Sequence, residues 1–328
     1  MKKTFIAGFG LLMAISTAAT ADTVTIYSGR GEALIGPLVS QFQEETGISA
    51  QVRYGGTSEM ATLLMEEGDN TPADLFWAQD AGALGALEPH FAEVPAEVTE
   101  SLLPVFRDAS NKWVATSGRT RVLVHSTERV DADDLPASLQ DLTEDTYRGR
   151  VAFAPTNGSF QAFLTAFRLT EGDDAARDWL EGMIANDARV YSNNGTQIEA
   201  IANGEVDFGL VNNYYLGRYT SRDADFPVAQ THFQPGDIGN LVLVAGAGIV
   251  EASDNQENAR KFIDFLLSPA AQQFITLQGN EYPVREGIIP HQTLESLDAL
   301  AEISPDVDLN DLGDLEGTLA LLREVGLL

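Results

Sequence analysis

The opening of this chain alternates strand and helix through short connections, and that order constrains its fold more than any other feature. Residues 24–28 read as a strand, and residues 34–46 as a helix that stops at Gly47. Residues 49–54 form the next strand, a helix follows over 59–67, and Asp74-Leu75-Phe76-Trp77-Ala78 is a third short strand. This order predicts a parallel sheet with right-handed crossovers. A further strand is expected at 120–125. A second series starts at 149–155 and continues through helices over 160–169 and 175–186. Residues 241–250 are apolar and glycine-rich, as in a buried strand, and a helix follows over 255–267. Short helices are expected from Leu294 onward. There are no repeats, low-complexity tracts or long linkers, and 328 residues are enough for two domains.

The first residues read as a secretory leader. Lys2 and Lys3 precede a mostly apolar stretch over 5–15, and Ala19-Thr20-Ala21 gives a small-x-small cleavage pattern before Asp22. The apolar stretch is too short for a stable membrane span. The chain has no cysteine, so lipid attachment and disulfides are both excluded, and stability must come from core burial. From Asp22 onward it carries 18 basic and 49 acidic side chains, a net charge of −31. That balance disfavours nucleic acid and anionic lipid as partners.

The most informative local motif is Asn212-Asn213-Tyr214-Tyr215. Residues 197–201 are amphipathic, Asn203-Gly204 ends that helix, and residues 206–211 are a short apolar strand. Ligands of open α/β sheets bind beyond the carboxyl ends of strands, and the two tyrosines fall there. Phenolate oxygen is a hard anionic donor suited to a hard cation. The ordinary role of such a pair is packing and hydrogen bonding, and the motif alone leaves both open.

On these residues the chain resembles the periplasmic ferric-ion-binding proteins, whose hallmark is a tyrosine pair after two asparagines. The resemblance extends over essentially the whole chain after the leader, through YSGRGE at 27–32, EEGDNTPADLFWAQD at 66–80, SGRTRVLVHS at 117–126, NGSF at 157–160 and FLLSPAAQQF at 265–274. It implies an α/β, two-lobed, type II periplasmic-binding fold of mixed, mostly parallel sheets flanked by helices, with the ligand cleft between lobes. One lobe would comprise residues 22–118 plus 243–292, the other 119–242 plus 293–328, with crossings near 117–120 and 240–245.

The resemblance also implies a site. Tyr214 and Tyr215 match the metal-binding pair. Asn212, Asn194 and the turn Asn157-Gly158-Ser159 match anion-contacting positions, where N–H groups at a helix start can cradle an oxyanion. Plain N-capping is the ordinary role of Asn157 or Ser159. Arg30 and Arg121 match cationic cleft positions, and arginine forks bind oxyanions bidentately; Arg119 is read as structural. The chain departs from the pattern where some members have a histidine, here Gly31, and a glutamate, here Gln79, with Asp80 after it as a further cleft residue. Where other members have a third tyrosine, Phe160 stands. Trp77, at the neighbouring strand end, is expected in the core.

His90, His125, His232 and His291 form no HxH or HExxH pattern, and no GxSxG elbow or GxxxxGK[ST] loop occurs. No nucleophile–base set is visible, so an enzyme is not expected. The expectation is a monomeric periplasmic protein that captures Fe(III), with carbonate or phosphate as co-bound anion, and presents it to the permease of an ABC importer. The alternative is a metal-independent receptor for a small oxyanion or organic anion.

Overall fold

The computed structural model describes residues 22–328; the expected leader over residues 1–21 lies outside the described residues. The strands are β1 (Thr23–Ser28), β2 (Ser49–Tyr54), β3 (Leu75–Ala78), β4 (Val114–Ser126), β5 (Val151–Phe153), β6 (Arg189–Val190), β7 (Phe208–Asn212), β8 (Val228–Thr231) and β9 (Val242–Ile249). Their order is β2-β1-β3-β9-β4-β7-β5-β6, with β8 beside β4. As the opening alternation predicts, β1 pairs in parallel with both β2 and β3. The second series repeats this, with β5 parallel to β6 and β7. Every antiparallel pairing involves β4 or β9.

β4 is where the two series meet. Residues 114–120 pair with β9, residues 121–125 with β7, and residues 123–126 with β8. The strand expected over 120–125 is therefore only the second half of a 13-residue strand. Its first half, Val-Ala-Thr-Ser-Gly, lacks the apolar run that marks a buried strand, yet it is buried throughout. Gly118 explains part of that composition: a Cβ there would lie 2.3 Å from the Phe106 ring. Across from Gly118 runs Tyr282, whose N–H and carbonyl bond reciprocally with those of Gly118. β6 and β8 show no apolar run: both residues of β6 are exposed and only Val228 of β8 is buried, so neither registered as a sequence pattern.

The helices follow their apolar periodicity. The helix Gln256–Leu266 buries Ala259, Phe262, Ile263, Phe265 and Leu266, one continuous face. Phe262 meets Phe42 edge-on at 4.9 Å and Trp77 at 5.7 Å. Truncating such a ring to alanine costs roughly 3–5 kcal/mol. Trp77 is fully buried and donates to Thr116 Oγ1 at 3.0 Å, so it is a core residue, as expected. Phe160 is likewise sealed among Phe153, Phe163 and Trp179. A smaller core holds Val122, Val124, Ile198, Ile201, Val211 and Leu216, and the half-buried Tyr215 packs against it. Among the described residues no helix is long and apolar enough to cross a membrane.

Candidate functional site

β7 ends at Asn212, and the helix Tyr214–Thr220 begins two residues later, so both tyrosines open that helix. Their rings stack with centroids 4.6 Å apart and 27° between planes. The exposed Arg218 guanidinium lies over both rings, at 5.2 Å from Tyr214 and 4.5 Å from Tyr215. Asn213, buried, accepts a bond from Thr120 N at 3.0 Å and ties the turn to β4.

Arg121 stands directly opposite Asn212 in the β4–β7 register. Its guanidinium donates to Asn212 Oδ1 at 3.0 Å, Leu210 O at 2.7 Å and Ser159 Oγ at 3.4 Å. Asn157 caps the helix Gly158–Glu171, accepting from Ser159 N at 3.1 Å and from the Ser159 hydroxyl. Asn194 Nδ2 reaches the same hydroxyl at 3.3 Å. Ser159 thus uses its one donor and both lone pairs within this network. Asn157, Ser159, Asn194, Asn212 and Arg121 come from four segments and form one connected group. Asn194 is fully buried, and its Oδ1 has no partner. Gly158 contributes backbone only; a Cβ there would meet nothing within 4 Å.

A second network faces this one. Ser117, Arg119 and Arg121 alternate onto one face of β4, since side chains two apart in a strand point the same way. Arg119 Nη2 donates to Gln79 O at the end of β3. Arg30 Nη1 donates to Gln79 Oε1 at 3.0 Å and to Glu281 Oε1 at 3.1 Å, and Nη2 to Glu281 Oε2 at 2.8 Å. Glu281 also accepts from the Ser117 hydroxyl. Arg30 is therefore held in a bidentate buried ion pair, with only Nε left unpartnered. Asp80 caps the helix Ala81–Leu87 through Ala83 N at 3.1 Å. Gly31 is exposed, and a Cβ there would meet nothing within 4 Å.

Electrostatics links the two networks through Tyr214. Burial pushes its phenol up to about 12; the Arg119 charge and a hydrogen bond from Asn212 pull it down, and Tyr215 and Glu281 reinforce the rise. Burial lowers the Arg121 guanidinium to about 9, opposed by the phenols of Tyr214 and Tyr215 and aided by Arg119. Arg121 therefore feels both phenol oxygens. Burial disfavours the Glu281 charge, but the Arg30 pairing outweighs it and holds the carboxyl below the usual range. Among the described residues no group of three or more His, Cys, Asp or Glu side chains is placed to hold a metal.

Two residues gained weight over the sequence reading. Arg119, read as structural, is 2% exposed with Nη1 unpartnered. The Arg-Thr-Arg spacing was the available signal, because residues i and i+2 of a strand share a face. Glu281 follows a helix end closed by Asn280 in the left-handed conformation. Nothing in its local pattern marks it, because its partners lie 164 and 251 residues away.

A tyrosine pair and an arginine–asparagine cluster at strand ends, on two series of strands joined through β4, are the features of a solute receptor. The chain belongs to the bacterial extracellular solute-binding protein family, whose model matches residues 58–302. It is 31% identical to the major ferric iron-binding protein of Neisseria meningitidis serogroup B, over 97% of this chain and 98% of that one. Among solved structures it is similar to iron-bound HitA from Pseudomonas aeruginosa, at 33% identity and TM-score 0.83, covering 93% of this chain and 99% of that one. It is also similar to FutA of Trichodesmium in complex with iron and citrate, at 26% identity and TM-score 0.82, covering 93% and 100%. The shared architecture is the type II periplasmic-binding fold.

Proposed function

We propose that this protein captures Fe(III) in the periplasm, together with an oxyanion of the carbonate or phosphate kind, and delivers it to the permease of an ABC importer. The observation that carries the reading is the stacked Tyr214–Tyr215 pair at the end of β7, with Arg121 opposite Asn212 on the neighbouring strand. Relatives named for ferric-iron binding, matched along nearly the whole chain, support the choice of ion. The phenols are the metal ligands. Arg121, Asn157, Gly158, Ser159, Asn194 and Asn212 hold the anion, and Gln79 and Asp80 border the cleft. A trivalent ion on two phenolates keeps one positive charge, and the anion beside Arg121 offsets it.

In this reading the protein is a monomeric receptor and performs no catalysis. One lobe comprises residues 22–118 plus 243–292, and the other 119–242 plus 293–328. The partner exchange along β4 supports that division. Closure of the lobes around a ligand would mark the loaded form for the permease. The test is to strip the purified protein of metal, add ferric citrate, and record absorbance and bound iron. A visible tyrosinate-to-iron charge-transfer band at one iron per chain is the expected result. A colourless complex or no bound iron refutes the reading.

A further inference from the structure

The last part of the chain leaves one lobe and comes back to it. Ile303 is fixed at one end: its carbonyl accepts from Gly236 N at 3.1 Å and from Nδ2 of the buried Asn240 at 3.3 Å. At the other end stands Arg168, on the helix Gly158–Glu171. Its Nη1 donates to Asp314 O at 3.3 Å and Thr318 Oγ1 at 3.0 Å, and pairs with Asp314 Oδ2 at 3.1 Å. The hydroxyls of Thr165 and Thr318 bond at 2.7 Å. Gly236, Asn240, Thr165 and Arg168 all fall in the lobe of residues 119–242. Between these anchors the short 3-10 helix Leu309–Gly313 packs on the helix Ala81–Leu87, which lies in the other lobe. Leu309 and Leu312 are buried. The approach is close because residue 82 is glycine. A Cβ on Gly82 would lie 2.9 Å from Leu312 O, and one on Gly313 would lie 3.7 Å from Ala86 N. Beside this contact the lobes do not fill the space between them. A cavity of about 280 Å³ is lined by Ser58, Asp80 and Ala83 from one lobe, Gly158 and Gln161 from the other, and Leu312 of the tail.

We propose that residues 304–313 are a clasp, tethered at both ends to one lobe and gripping the other, that sets how fast the closed protein reopens and releases its ligand. The inference rests on the two-lobed closure above and not on which ligand is bound. Opening moves the helix Ala81–Leu87 away with its lobe, so one of the tail's attachments must yield. The anchors are a buried guanidinium ion pair and side-chain hydrogen bonds. The grip is backbone laid on Gly82 and Ala86, with no interlocking side chains at that point. The grip is therefore the attachment that parts. Parting it exposes apolar surface of Leu309 and Leu312 to water, which opposes opening. The gripped helix starts at Asp80, its N-cap and a cleft residue, so the clasp acts on an element that reaches the candidate site.

The chain has no cysteine, so the double variant Ala86→Cys with Gly313→Cys introduces one disulfide, at a spacing within reach of such a bond. Iron is loaded from ferric citrate, and its loss to excess EDTA is followed as decay of the charge-transfer band. The oxidised pair should release iron about tenfold more slowly than the same protein reduced before loading. Gly82→Ala should release it about tenfold faster than the parent, because the added methyl pushes on Leu312 O. Alanine also favours a helix over glycine, so faster release is not loss of that helix. The cross-link shows that the two segments part on release, and Gly82→Ala that their native contact resists it. Equal rates in the oxidised and reduced pair, with the disulfide confirmed by thiol titration, overturn the clasp. A Gly82→Ala rate at or below the parent's overturns it too, and decides alone if the disulfide does not form. A parent without a band overturns the ferric reading only. The clasp is then read from small-angle X-ray scattering of the metal-free proteins. Gly82→Ala should have a larger radius of gyration than the parent, and equal radii overturn the clasp.

Discussion

Replacing Tyr214 by Phe removes one oxygen and leaves a ring that can still stack on Tyr215 at 4.6 Å. Fold stability should change by only about 0.5 kcal/mol. Iron binding should change far more, in a way protons can count. Burial holds the Tyr214 phenol at about 12, so at pH 7 the empty site keeps its proton. Taking that proton off at pH 7 costs about 7 kcal/mol, at ~1.36 kcal/mol per pH unit. The metal must supply that energy, and each phenol it binds releases one proton. With two phenols the iron affinity rises about 100-fold per pH unit, beyond any contribution of the anion; with one, about tenfold. The assay is proton release in weakly buffered solution at pH 7 as iron is delivered from ferric citrate. Titration of the charge-transfer band at several pH values supports it. Tyr214→Phe should release one proton fewer per iron bound, and its band should weaken. Equal proton release and equal affinity in parent and variant would show that the Tyr214 oxygen is not a ligand.

Arg121→Ala should weaken iron retention through loss of the anion, and raising the anion concentration should partly restore it; unchanged affinity at low anion would remove Arg121 from the site. Acid should release the metal, because protons compete for phenolate and anion alike, and the band's midpoint should move with the buffer anion. It should not follow histidine titration: burial lowers His125 and His232, so both stay neutral near pH 7, and a midpoint that vanishes on mutating a histidine would mean a different ligand set. Gly31→His should fold normally, since its backbone is extended (φ −70°, ψ 140°) and a Cβ there meets nothing. The added imidazole should raise iron affinity and reduce its anion dependence; an identical anion response would place residue 31 away from the metal. Glu281→Gln should cost about 3 kcal/mol by stranding Arg30. The parent's gain from this pair is present above the carboxylate's unfolded pKa and fades as pH falls through its lowered folded value. Melting curves of parent and variant should therefore converge in acid, and a constant gap down to low pH would refute the ion-pair account.

Much of the scaffold was legible along the chain. The strand expected at 49–54 matches β2, and the helix read over 34–46 forms as Glu32–Thr46. Period-two and period-3.6 patterns report local burial: the helix buries Ile35, Leu38, Val39 and Phe42, and from Ala50 onward β2 alternates half-buried with exposed positions. β4 was only half visible, because Ala115 to Gly118 are small or polar and are buried by partners remote in sequence. For the candidate site, the residue types at 157–159, 194, 212 and 214–215 were readable as motifs. The convergence of Asn157, Asn194 and Arg121 on the Ser159 hydroxyl was not, since the bonds from Asn194 and Arg121 join residues 35 and 38 apart.

By itself, then, the sequence determined the parallel opening series, the core helices, the tyrosine pair after two asparagines and the excess of acid over base. Each is a property of neighbouring residues, because backbone periodicity and motif chemistry act over a few positions. Only the tertiary structure decided which arginine is neutralised. Arg30 meets Glu281 across 251 residues, whereas Arg119 and Arg121 remain without a carboxylate. Coulomb energy depends on distance and burial rather than on order along the chain, so the charge that the site offers a ligand exists only once the strands have been brought together.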